Sequence, residues 1–255
     1  MKKCFSVKCN ACHSEFAGLR IYFFATVSLL FVFSFSALAQ DASPPVNDAQ
    51  IWENFNMDKK LSRSFTARFS HEGRFTNNDT RLTYYFEDFG MEYKTHFHHI
   101  SFLADYVFIR KLTSQSNAQE YWDNRHQYYF AVTWSQKIGQ FELHDRQMIM
   151  GQVKDVLSSD AGKVSDNYLR NKFSVKYNFN YYWSVYAASE LYWHLSDPQP
   201  DPTPHINRMR YFLGGYYRIN EHHEFELYYL FEQHMNIAYP NHNYVIGIGY
   251  TYSFS

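Results

Sequence analysis

Charged side chains at even separations carry most of the chemistry available to this sequence. Arg68, Glu72 and Arg74 are in step with one another, as are Arg170, Lys172 and Lys176, then Arg208, Arg210 and Arg218, then Glu224, Glu226 and Glu232. Arg125 and Glu190 take the same phase within their own segments. On an extended chain, even spacing places such groups on a single face. Lining a lumen, they would form rings that select permeants by sign; packed together, the same groups would neutralise one another as a polar plug.

Conventional catalytic spacings are missing. No H-E-x-x-H, G-x-S-x-G or glycine-rich phosphate loop occurs, which disfavours zinc peptidases, nucleophile-elbow hydrolases and nucleotide folds. His71-Glu72 and His223-Glu224 lack the second histidine that a helical zinc site requires. His96, His98, His99, His222 and His223 cluster near two expected turns, where interfacial polar residues are the ordinary reading and a metal site the rarer one. A serine–histidine pair could serve a barrel-wall lipid hydrolase, with His144, Ser174 or His194 as candidates, but their spacing selects no pair. The expectation is a protein without cofactor, metal or enzymatic activity.

The 255 residues suit one large domain or two small ones. Aromatic residues make up 20% of them, far from the profile of a disordered chain. A helical membrane protein is also excluded, because each span needs about 20 consecutive apolar residues and only Ile21 to Ala39 supplies such a run. That run follows Lys2, Lys3, Lys8 and Arg20 and ends in Ala37-Leu38-Ala39, the pattern of a cleaved signal peptide. Residues 1–39 are therefore expected to be removed on export, leaving a short N-terminal segment, 40–49, ahead of the main domain, 50–255. Cys4, Cys9 and Cys12 leave with the signal, so no structural disulfide is expected. The C-x-x-C-H haem pattern at Cys9 to His13 goes with them. Taking four basic residues and one acid from totals of 24 and 25 leaves 20 Lys and Arg against 24 Asp and Glu. That balance carries no basic excess to recruit nucleic acid.

From about Ile51 the chain breaks into segments of roughly ten residues in which apolar and polar positions alternate, the length and pattern of tilted strands that cross a bilayer. Phe65, Ala67 and Phe69 alternate with Thr66, Arg68 and Ser70; Tyr211, Leu213 and Tyr217 alternate with Arg210 and Arg218; Phe225, Leu227 and Tyr229 alternate with Glu224 and Glu226. Connections are alternately short and long, the long ones covering about 112–124, 153–165, 196–205 and 234–242. The large aromatic faces suit lipid and the charged faces an enclosed interior. The pattern predicts an all-β, antiparallel up-and-down transmembrane β-barrel. Pairing residues whose numbers sum to 442 sets Arg210 against Glu232 and Arg218 against Glu224 inside, with Tyr217 against Phe225 and Leu213 against Tyr229 outside. Segments number about eleven although single-chain bacterial barrels are nearly always even, so the expectation is ten to twelve strands, twelve nominally. Gly249, Tyr252 and Phe254 in the last strand resemble the C-terminal signal read by the barrel-assembly machinery, except that Ser255 follows the aromatic.

The strand layout resembles the domain-of-unknown-function 2490 family of bacterial outer-membrane barrels. The matching residues are Ile51-Trp52, Lys59-Lys60-Leu61, Asn167 to Lys172, Glu224 to Tyr229 and Gly247 to Tyr250. The resemblance implies an outer-membrane barrel and assigns no catalytic or ligand residue. The functional expectation is a small passive or substrate-selective pore in outer-membrane lipid, with a small-molecule permeant and Arg68, Glu72, Arg74, Arg125, Arg170, Lys172, Lys176, Glu190, Arg208, Arg210, Arg218, Glu224, Glu226 and Glu232 facing the lumen. A structural or surface-binding barrel that works through its outer loops is the alternative.

Overall fold

The computed structural model describes residues 46–96, 99–114, 120–154, 166–196, 205–236 and 241–254. The expected signal segment, the C-x-x-C-H pattern, His98 and much of the four long connections lie outside these residues. The described chain forms β1 (Val46–Lys60), β2 (Phe65–Thr76), β3 (Arg81–Lys94), β4 (Ile100–Ser114), β5 (Glu120–Ile138), β6 (Phe141–Lys154), β7 (Asp166–Asn178), β8 (Trp183–Ser196), β9 (His205–Arg218), β10 (His223–His234) and β11 (Asn241–Phe254). Each strand pairs with its sequence neighbours, and β1 pairs with β11 to close the barrel.

Eleven strands fall within the expected ten to twelve, and the nominal twelfth is absent among the described residues. Parity is resolved by geometry. An up-and-down chain with an odd count has first and last strands that run the same way, so β1 joins β11 in a parallel ladder from Val46↔Asn241 to Lys59↔Phe254. All the other pairs are antiparallel. β1 begins four residues ahead of the expected boundary at 50, and Val46 lies at the rim that carries the long connections.

Turn chemistry explains both rims. Asn180 and Asn220 each accept two backbone N–H bonds through Oδ1, from Tyr182 and Trp183 and from His222 and His223, at 2.8–3.0 Å. These side chains replace ladder partners lost at the reversal. At the opposite rim Asn77, Asn78 and Asp79 all hold positive φ, which short polar side chains tolerate best. The Asp48 carboxylate accepts the Asn77 and Asn78 amides at 3.3 and 2.9 Å, tying that turn to β1.

The register sum of 442 holds along the whole β9–β10 pair, and Arg210–Glu232 and Arg218–Glu224 are ion pairs. Leu213, Leu227, Ile149 and Ile248 stand exposed on the outer face. Stacked and tilted ring pairs such as Phe55–Tyr250, Phe69–Phe89 and Trp183–Tyr217 share that face.

The interior differs from a purely ionic wall. Trp52, Tyr186, Tyr228, Leu230 and Val245 form a buried apolar cluster, and Leu103, Ala131, Met148 and Met150 form another. Glycines give the first cluster its room: a Cβ on Gly247 would lie 1.9 Å from Tyr228 Cζ, and one on Gly214 2.7 Å from the Tyr186 ring. Burying these rings inside removes apolar area from a lumen that charge alone would leave hydrated.

Leu213→Arg, on the outer face at 65% exposure, is expected to cost about 2–4 kcal/mol when refolding into lipid vesicles is followed by urea titration. Gly247→Val is expected to displace Tyr228 and lower the unfolding midpoint more than Gly139→Val, a turn position with positive φ but open space.

Candidate functional site

Successive antiparallel ladders carry one row of inward residues across half the barrel. Arg146 on β6 is opposite Lys172 on β7, Lys172 opposite Glu190 on β8, Glu190 opposite Arg210 on β9, Arg210 opposite Glu232 on β10, and Glu232 opposite Asn243 on β11. Within the row Arg210 Nε donates to Glu232 Oε2 at 2.5 Å, and Arg210 Nη1 lies 3.4 Å from Glu190 Oε2. Arg210 also donates to the Tyr192 hydroxyl. Arg170 Nη2 donates to Glu190 Oε1 at 2.7 Å, and Arg146 approaches the same oxygen at 3.5 Å. Glu232 further receives Asn243 Nδ2 at 2.7 Å, with His234 Nε2 at 2.9 Å and Arg208 Nη1 at 3.7 Å.

Aromatic rings hold these guanidinium groups from another side. Arg170, Arg208 and Arg210 lie 4.4, 4.8 and 4.9 Å from the Tyr192 ring centre, while Arg74 and Arg210 lie 3.8 and 5.3 Å from that of Trp52. Lys172 sits 4.2 Å over Phe212. Such contacts favour a cation that has lost water.

Burial is uneven between the signs. Glu190 and Glu232 side chains are 2% and 4% exposed, and Arg210 between them is 6%. Arg146, Arg170 and Arg208, which meet the same carboxylates, remain 29%, 16% and 26% exposed. Arg74 is likewise more open than Glu72, and Arg125 than Asp123. The acids form a foundation against the wall, and the guanidinium groups form the surface above it.

The row borders a cavity of about 640 Å³. Of the fourteen residues expected in the lumen, Arg68, Glu72, Arg74, Arg125, Arg170, Lys172, Glu190, Arg208, Arg210, Glu226 and Glu232 line it. Lys176, Arg218 and Glu224 do not; they lie toward the short-turn rim, where Arg218 pairs with Glu224 at 2.6 Å and Lys176 covers Tyr216. Gly249 sits across the ladder from Glu226, while Tyr252 and Phe254 rings meet edge-on at 4.6 Å near the end of β11. Sequence reading assigned no interior place to Trp52, Tyr192, Asp88, Asp105, Asp123 and Tyr129. Their phase is the available signal, since Tyr192 is in step with Glu190, and Asp123 and Tyr129 with Arg125. Tyr129 donates to Asp88 at 2.7 Å.

A second cavity of about 480 Å³ toward the short turns includes Ser135, His144 and Ser174. Ser135 Oγ lies 2.9 Å from His144 Nδ1, but Glu142 Oε2 is 3.9 Å from Nε2, so the set stops at a dyad. Ser174 is opposite His144 in the ladder, and His194 stacks on Tyr168. His96 and His99 flank the β3–β4 turn, whereas His222 and His223 flank the β9–β10 turn, so the barrel order separates the two groups. Among the described residues no three His, Cys, Asp or Glu side chains are placed to hold a metal ion.

A family model described as a protein of unknown function, DUF2490, matches residues 49–245. The chain belongs to the DUF2490 family. The matched span runs from β1 into β11 and so takes in the whole charged row of the DUF2490 barrel. No curated protein matches it. Among solved structures it is similar to the β-domain of the Bordetella autotransporter BrkA, at 8% identity and a TM-score of 0.38, covering 76% of this chain and 83% of that one.

Glu190→Gln is expected to take from Arg146 and Arg170 their buried counter-charge, while Arg210 keeps Glu232, and to cost about 3–5 kcal/mol. Asp58→Asn, which breaks the exposed Arg68–Asp58 pair at 3.4 Å, is expected to cost about 0.2–1 kcal/mol. Urea unfolding of each variant in lipid vesicles measures the contrast.

Proposed function

We propose that this DUF2490 barrel resides in the outer membrane of a double-membraned bacterium and acts as a small, substrate-selective pore that prefers anions. A closed barrel leaves no unpaired strand edge in lipid, and the exposed outer face carries residues such as Leu213, Leu227 and Ile248. Tight turns suit the periplasmic rim and long connections the outside. In that orientation β11, with Gly249, Tyr252 and Phe254, ends at the periplasmic rim, where the barrel-assembly machinery acts.

The unequal burial of acids and bases carries the reading. A solute entering the cavity meets nine Arg and Lys side chains against six carboxylates, and the most deeply buried carboxylates lie beneath their arginines. In a space of low dielectric this field concentrates anions and repels cations. Selectivity rather than wide passive flow follows from the interior aromatic clusters and the charged row, which occupy much of the barrel. The reading assigns the chain no catalytic step.

Purified protein in planar bilayers is expected to give unitary current steps, with a reversal potential under a KCl gradient of the sign set by chloride. Arg208→Glu should move that potential toward the potassium value. Membranes no more conductive than lipid alone at every voltage would contradict the pore.

A further inference from the structure

Six cations, Arg74, Arg146, Arg170, Lys172, Arg208 and Arg210, gather where, among the described residues, Glu72, Glu190 and Glu232 are their ion-pair or ladder partners. The next inward carboxylate, Glu226, accepts the Tyr186 hydroxyl at 2.6 Å. Glu190 and Glu232 are saturated: the first meets three arginines, and the second meets two arginines, His234 and Asn243. Arg210 is consumed by both acids and by Tyr192. Arg74, Arg170 and Arg208 each meet a carboxylate and an aromatic ring, line the cavity with side chains 19%, 16% and 26% exposed, and the Nε groups of Arg170 and Arg208 have no hydrogen-bond partner.

A guanidinium packed by its face on an aromatic ring keeps its N–H donors at the edge, in a fork that matches two oxygens of one anion. Arg210 lies near both Trp52, which carries Arg74, and Tyr192, which carries Arg170 and Arg208. The three guanidinium groups therefore belong to one neighbourhood. A halide satisfies the charge there but leaves most donors unused, whereas an anion with several oxygens satisfies both.

We propose that the lumen contains a binding site for a small multivalent oxoanion, either a phosphate compound or a polycarboxylate, formed by Arg74, Arg170 and Arg208 around Trp52 and Tyr192. The proposal deepens the pore reading by naming the class of solute that the same cavity takes.

Inorganic pyrophosphate and citrate are the probes, titrated by calorimetry into detergent-refolded full-length protein at fixed ionic strength. The expected result is saturable binding that chloride does not compete away at equal charge concentration. Arg170→Gln and Arg208→Gln should each weaken it at least tenfold, while Arg81→Gln, on the outer-rim pair with Glu120, leaves it unchanged. Heat-modifiable gel migration verifies that each variant is folded. Binding of pyrophosphate alone assigns the site to phosphate compounds, and binding of citrate alone to polycarboxylates; both outcomes support the site. The proposal is overturned if neither probe binds the wild type more tightly than chloride, or if both arginine variants, folded, bind as the wild type does. Bilayer recordings separate the two readings: binding without current removes the pore and keeps the site, whereas current without binding does the reverse.

Discussion

Strand closure is the constraint on which the rest of this molecule depends. A closed sheet leaves no edge of bare N–H and C=O groups, and in hydrocarbon, where the proposed function places this barrel, nothing else would satisfy them. Eleven strands laid alternately up and down bring the first and last to the same direction, so the seam between β1 and β11 must be parallel. Parallel pairing is slightly weaker per residue, and this seam offsets that by length, running through fourteen paired positions. Closure also fixes which side chains face inward, since every ladder transmits its phase to the next strand.

Once the phase is set, the interior must accommodate charge without bulk water to dissolve it. The barrel does so by pairing residues straight across ladders, so that Glu190 and Glu232 bracket Arg210 within one circumferential row. Buried ion pairs often contribute little net stability, and in this one Arg210 also donates to Tyr192, Glu232 accepts from Asn243, and two ring faces contact the guanidinium. The arrangement is asymmetric because arginine is long and glutamate is short. Short acids remain against the wall while guanidinium groups reach over them. The same asymmetry that settles the core gives the cavity its sign, so stability and selectivity have a common origin.

Much of this was legible in period-two alternation. The all-β class, the barrel, the inward phase of Arg68, Arg210 and Glu232 and the β9–β10 register follow from one turn and one parity rule. The parallel seam was not legible, because no local pattern distinguishes a parallel from an antiparallel partner 195 residues away, the separation of Asn56 from Thr251. Lys176, Arg218 and Glu224 share the inward phase but not the cavity, since phase gives a side and not a height. Interior rings such as Trp52 and Tyr192 were hidden for another reason. An aromatic residue is expected on the lipid face, and only its step with a neighbouring charge marks it as internal.

The closing seam is tested most directly by paired cysteines on the outward-facing positions of β1 and β11, joined with a short thiol cross-linker in folded protein. The parallel register requires efficient linkage of Ile51→Cys with Ile246→Cys and of Met57→Cys with Tyr252→Cys. It also requires little linkage of Ile51→Cys with Phe254→Cys or of Lys59→Cys with Ile246→Cys. The reverse pattern, with the second two pairs linking and the first two not, would mean an antiparallel seam and contradict the eleven-strand barrel.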